Sequence, residues 1–221
     1  MERSDLITLL SINNYIEASM KKKLAVLLAL TGWFALIAQY TLMIENRITP
    51  VSETTIRFFS YFTILTNLLV AVYFTFLSVG KRDSKLINKP GSLTAITIYI
   101  TMVGLVYQVV LRHVWQPKGL QMIVDELLHT IIPVLVIISW YLYETTRAVN
   151  YSQIFNWAIY PLAYLVFILV RGSFSGFYPY HFINVTDLGM SKALINAGFL
   201  LLIFIIISAL FLFIGKSIIK R

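Results

Sequence analysis

Six stretches of mostly apolar residues run through the chain, near Leu24–Ile44, Thr55–Val79, Ser92–Arg112, Gln121–Tyr143, Gln153–Arg171 and Ala193–Ile214. A helix rises 1.5 Å per residue, so about 20 such residues span a hydrocarbon core roughly 30 Å thick. Charge or a Pro/Gly break bounds each stretch: Glu45, Arg47 and Pro50 close the first, and Pro90-Gly91 and Pro117-Lys118-Gly119 mark two later breaks. Lipid offers no hydrogen bonds to a backbone, so such segments must be helical. The expected fold is all-α, a polytopic membrane protein of six transmembrane helices. Composition agrees: 58% of the 221 residues are hydrophobic and 13% charged, against about 25% charged in a soluble domain. This excludes a water-soluble globule, a disordered chain and a nucleic-acid reader, despite the net charge of +8. The absence of cysteine excludes a disulfide framework, a zinc–thiolate site and a cysteine nucleophile.

Orientation follows from the Lys and Arg residues, which gather at cytoplasmic ends of spans. With the N-terminus inside, Arg3, Lys21, Lys22, Lys23, Lys81, Arg82, Lys85, Lys89, Arg147, Lys216, Lys220 and Arg221 are cytoplasmic. Only Arg47, Lys118 and Lys192 fall in outer loops. Both termini are therefore expected in the cytoplasm. Three regions follow: a cytoplasmic amphipathic segment over 1–23, a six-helix transmembrane domain over 24–215, and a basic tail over 216–221. In the first region, Leu6, Leu9, Leu10 and Ile16 recur at helical spacing before Lys21-Lys22-Lys23. That pattern predicts a short helix on the inner leaflet, with the lysines facing anionic head groups. The first span is too long for a signal-peptide core and is read as retained. No internal repeat suggests a transporter.

The polar residues within spans are unevenly distributed. The second span carries Arg57, Ser60, Thr63, Thr66 and Asn67; the fourth carries Asp125, Glu126, His129 and Thr130, with Pro133 one turn on. The third and fifth end at Arg112-His113 and Arg171. All of these fall toward the expected outer side, and ionisable groups in spans are costly and usually functional. Thr63 and His129 each lie about 12 Å inside their spans at helical rise. Two helices of one orientation can thus bring a hydroxyl and an imidazole to one level, the minimum for a nucleophile and its base. Asp125, one turn from His129, can orient the ring. Asn67, one turn from Thr63, can donate to an oxyanion. Plainer roles exist for each. A span threonine commonly bonds its own backbone, Asn67 can join helices, and Arg112 and Arg171 can snorkel to phosphates. His113, His129 and His181 show no metal-ligand spacing, and no metal or cofactor is expected.

Phe58-Phe59-Ser60-Tyr61-Phe62-Thr63 through Asn67, with Leu128-His129-Thr130-Ile131-Ile132-Pro133, resembles motifs of the androgen-induced and androgen-dependent membrane protein family, most closely its bacterial six-span relatives. Tyr160-Pro161, Arg171-Gly172, Tyr178-Pro179 and Phe182-Ile183-Asn184-Val185 add to the likeness, which covers most of the chain. The resemblance implies an intramembrane hydrolase of fatty acid esters of hydroxy fatty acids, in a bacterial inner membrane. It puts the nucleophile on Thr63 and the base on His129. Thr66, which precedes Asn67 here, departs from the eukaryotic pattern and is the alternative hydroxyl.

The reading is thus a lipid-ester hydrolase with Thr63 and His129 catalytic and Asn67, Asp125 and Thr66 supporting. Arg112, Arg171 and His181 are expected to bind substrate. The partners expected are a fatty-acyl substrate and membrane lipids, with no nucleic acid. The alternative is a non-catalytic lipid-binding or small-molecule transport protein. The first reading requires a cavity between Thr63 and His129, walled by Phe, Leu and Ile of the second to fifth spans, with Arg112 and Arg171 at its mouth.

Overall fold

The computed structural model describes residues 3–80, 89–144 and 149–218. Lys81, Arg82, Lys85, Arg147, Lys220 and Arg221, used above for orientation, lie outside the described residues. Regular structure among the described residues is all helical: α1 Arg3–Glu45, α2 Val51–Phe59, α3 Phe62–Ser78, α4 Ser92–Leu111, α5 Leu120–Tyr143, α6 Gln153–Ser175 and α7 Met190–Ile218, with single turns at His181–Ile183 and Val185–Leu188. Among the described residues, five helices are long and apolar enough to cross a membrane, or six if α2 and α3 are taken as one bent span.

Two elements depart from expectation. The N-terminal segment, predicted as a separate surface helix, continues without a break into the first span. The second span is not one helix either. It bends by 72° between α2 and α3. Ser60 N–H turns back to Arg57 O at 3.0 Å and Tyr61 N–H to Phe58 O, so the α2 ladder tightens and stops. Tyr61 is extended (φ −83°, ψ 126°) and begins a fresh helix. In lipid a broken ladder needs a partner for the groups it frees. The Tyr164 hydroxyl of α6 supplies one, donating to Ser60 O at 2.8 Å.

Packing centres on α4, of which 67% is buried inside the protein against 22% for α6. It touches α3, α5 and α7. Gly91 starts it in the left-handed region (φ 82°), wedged against Trp157 and Val149, where a Cβ has no room. The buried hydroxyls of α4 are satisfied: Thr97 donates to Leu93 O at 2.7 Å, and Thr94 accepts Trp140 Nε1–H at 3.0 Å. Along the other side α1 lies against α3. Gly32 lets the two backbones close on Ala71, where an added Cβ would sit 3.1 Å from the alanine Cβ. Small residues at such crossings replace the hydrophobic drive that is missing between helices in lipid. Trp33 Nε1–H reaches Thr75 Oγ1 at 3.0 Å and fixes the register.

Gly32→Val is therefore expected to force α1 from α3 and destabilise the fold by about 1–3 kcal/mol, the usual cost of overpacking. Gly198→Val, with nothing within 4 Å of its Cβ position, should leave the detergent melting temperature near wild type. Equal melting temperatures for the two variants would contradict the α1–α3 contact.

Candidate functional site

Proline chemistry places His129. Pro133 has no N–H and cannot serve a carbonyl one turn back. Over Leu127–Ile131 the helix widens into a π turn, and Ile132 N–H goes to Leu127 O. Leu128 O is then left without a helical donor, since Ile132 is engaged and Pro133 has none. Asn67 of α3 fills the gap. Its side-chain N–H₂ donates to Leu128 O at 3.2 Å and to Thr63 O at 2.9 Å. The fully buried amide thereby ties the backbone beside Thr63 to the backbone beside His129. From the other side Gly104 admits the carbonyl of His129 and the ring of Pro133, at 3.1 and 3.3 Å from its would-be Cβ. A second π turn, Tyr107–Leu111, brings the Tyr107 ring flat onto the imidazole, with centroids 4.3 Å apart and planes at 16°. Such turns commonly mark functional sites.

The helix break places Thr63. As the second residue of α3, it has an N–H with no carbonyl inside its own helix. That N–H donates to the Tyr180 hydroxyl at 3.3 Å, and Thr63 Oγ1 lies 3.4 Å from the same oxygen. Thr63 Oγ1 is also 3.4 Å from His129 Nε2. The opposite ring nitrogen, Nδ1, lies 2.9 Å from Asp125 O and 3.3 Å from Asp125 Oδ1. Both of those oxygens accept, so the neutral ring carries its hydrogen on Nδ1 and leaves Nε2 bare. The Thr63 hydroxyl then donates to Nε2. That is the direction a general base requires.

Two cavities meet at Thr63. A vestibule of about 870 Å³ opens at the bundle end where α1 and α4 finish and α5 begins. Its wall includes Thr63, Asp125, His129, Tyr180, Arg47, Arg57 and Lys118. A narrower slot of about 130 Å³ runs between α3, α4, α6 and α7, lined by Phe62, Met102, Val106, Leu165, Leu201 and Phe204 among others. Thr63, Leu111 and Tyr180 belong to both walls. The side chain of Asp125 is buried.

Several expectations need correction. Asn67 clamps two backbones, and both its N–H groups are engaged away from any oxyanion position. Thr66 is wholly buried, bonds Tyr160 at 3.2 Å and lines neither cavity, whereas Thr63 lines both. Arg112 and Arg171 are absent from the vestibule wall. Arg112 pairs with Glu126 at 2.6 Å and Arg171 with Glu53 at 2.9 Å, because a carboxylate on a neighbouring helix lies within reach of each guanidinium. Arg47, Arg57 and Lys118 stand at the mouth in their place. His181 is exposed against Phe182 and reaches neither cavity. The apolar wall draws on the last span and not on the fourth, where α5 supplies the polar face instead. Tyr180 went unrecognised in the sequence: its loop stood out, but nothing in the pattern says which ring turns inward. Among the described residues, no group of three His, Asp or Glu is arranged to hold a metal ion.

Asn67→Leu is expected to leave the Leu128 carbonyl unsatisfied and to cost about 1–3 kcal/mol. A melting temperature in detergent unchanged from wild type would show that the amide clamp contributes nothing.

No family model, curated protein or solved structure matches this chain, and the functional reading rests on the geometry of its own residues.

Proposed function

We propose that the protein is an intramembrane hydrolase of lipid esters, with Thr63 as nucleophile and His129 as base. One observation carries the reading: the Thr63 hydroxyl, 3.4 Å from a bare imidazole nitrogen, sits in a wall shared by a polar vestibule and an apolar slot. Hydroxyl-to-base contacts of this length commonly tighten once substrate is bound. The resemblance to the androgen-induced protein family points the same way.

The chemistry follows from the proton inventory. Thr63 Oγ1 bonds to the ester carbonyl carbon as its proton passes to His129 Nε2. Collapse of the tetrahedral intermediate breaks the bond to the alcohol oxygen, which takes the proton from His129 and leaves as a hydroxy compound. Water then gives a proton to His129 and attacks the acyl carbon. Thr63 Oγ1 departs with that proton, and the fatty acid is released. The apolar slot would take the part of the acyl chain next to the ester and hold it away from water. An alcohol portion bearing a carboxylate, as in an ester of a hydroxy fatty acid, finds Arg57, Arg47 and Lys118 at the vestibule mouth. Asp125 stabilises the imidazolium that forms between the two transfers, across 3.3 Å.

The charge bias of the loops puts both termini in the cytoplasm and the vestibule at the outer face. A bacterial inner membrane is the setting that the resemblance suggests. The substrate would then enter from the outer leaflet.

With purified protein and an oleoyl ester of a hydroxystearic acid, Thr63→Ala and His129→Ala should each lower turnover by at least about 10²-fold, with melting temperatures near wild type. Thr66→Val should remain active. An inactive Thr66→Val beside an active Thr63→Ala would reverse the assignment, and a wild-type protein that retains the ester uncleaved would favour a lipid-binding role. For orientation, Lys118→Cys should react with an impermeant thiol reagent in intact cells and Lys216→Cys should not. The native chain has no cysteine to mask the result. The opposite labelling would put the vestibule on the cytoplasmic face.

A further inference from the structure

The loop between α6 and α7 delivers a phenol to the reacting oxygen, and it is built to hold that phenol still. Tyr178 packs over Gly172 of α6 so closely that any Cβ there would fall inside its ring. Asn196 of α7 donates to Phe182 O at 2.8 Å. Between these two anchors the Tyr180 ring lies flat on Phe182 (5.2 Å, 6°) and edge-on to Tyr61 (5.8 Å, 86°). Its hydroxyl is thus fixed beside Thr63 by α2–α3, α6 and α7 together.

The hydrogens around that hydroxyl can be assigned. Thr63 N–H points at the Tyr180 oxygen, and the Thr63 hydroxyl hydrogen is engaged by His129. The remaining direction is for Tyr180 O–H to donate to a lone pair of Thr63 Oγ1, 3.4 Å away. Burial pushes the phenol up to about 12, so it stays a donor at neutral pH. In a tetrahedral intermediate on Thr63, the oxyanion and Oγ1 are bonded to one carbon. A phenol that reaches one oxygen reaches the other by a small rotation about its own C–O bond.

Resting on the hydrolase reading, we propose that Tyr180 is a catalytic residue: its hydroxyl, held in place by the Thr63 N–H, is the oxyanion donor and switches from Thr63 Oγ1 to the ester oxygen as the bond forms. The role that Asn67 was expected to fill passes to this hydroxyl. Because Tyr180 also lines both cavities, the ester oxygen is drawn to the point where vestibule and slot meet.

Tyr180→Phe keeps the ring contacts and removes the hydroxyl, which is both the donor to Thr63 Oγ1 and the acceptor of the Thr63 N–H. For the oleoyl ester it should lower kcat about 10²-fold, the usual effect of losing one oxyanion donor, with KM close to wild type. An ether analogue, which has no carbonyl oxygen, should bind the variant and the wild type equally. Wild-type kcat in Tyr180→Phe, or a loss confined to KM, overturns the assignment of Tyr180. If Thr63→Ala is inactive in the same assay, the hydrolase reading survives that result. A wild-type protein that cleaves no ester removes both. A second variant guards against an effect of the loop itself: Asn196→Ala removes its anchor on Phe182 O without touching the donor or either cavity wall. It should retain kcat within about tenfold, a smaller loss than removing the donor. A loss as large as that of Tyr180→Phe would mark the loop as structural and overturn the proposal.

Discussion

Every backbone group freed inside this bundle must find a partner within the protein, because lipid provides none. Three interruptions create the need. Pro161 cannot serve Trp157 O, Pro133 leaves Leu128 O without a donor, and the bend at Ser60–Tyr61 ends the α2 ladder. Three side chains from other helices answer: Tyr99 donates to Trp157 O at 2.8 Å, Asn67 to Leu128 O and Tyr164 to Ser60 O. Each repair is also a cross-link between helices. The bundle is held in register where its helices are locally broken, and the site lies between two of these repairs.

The same interruptions build the candidate site. Breaking the second span gives a helix start within the bundle, where the Thr63 N–H lies outside the helical ladder and donates to the Tyr180 hydroxyl. The π turn before Pro133 and the close approach at Gly104 seat His129 against α4, with Tyr107 covering one face of the ring. Asp125 then selects the tautomer from one turn away. An uninterrupted helix would have turned its N–H groups inward along its own ladder.

Electrostatics divide the end of the bundle into paired and available charge. Glu53 accepts from both Arg57, at 2.8 Å, and Arg171, and Glu126 holds Arg112. Such partly exposed pairs contribute little to stability. Arg171 also sits over Phe177, with the guanidinium 5.1 Å from the ring centroid. Arg57 shares both Glu53 and the Phe177 ring, at 4.6 Å, yet still lines the cavity. Its planar head is thus held ready at the mouth, where a carboxylate can accept from it.

Local properties were legible in the sequence. Uninterrupted apolar length and the Pro/Gly breaks determined an all-helical membrane chain, because helix formation in lipid depends on residues near one another. A constant rise per residue suggested matched levels for Thr63 and His129, but the 72° break between Thr55 and Thr63 interrupts that count, and their proximity is a result of packing. The pairing of Asp125 with His129 followed from a one-turn spacing. What the sequence could not supply depends on which surfaces meet. The 72° break was hidden because no Pro or Gly marks Ser60–Tyr61, and Tyr164, whose bond completes it, is about a hundred residues away. Asn67 had the right place for an oxyanion donor until tertiary contact engaged its amide with Leu128 O. Arg112 and Arg171 looked free until the packing brought Glu126 and Glu53 beside them. Tyr180 entered the site only through the folding of a loop over Gly172. Composition and period determined that helices form. Tertiary structure alone decided which polar groups satisfy one another and which are left for a substrate, because hydrogen bonds across helices depend on distances that no local pattern encodes.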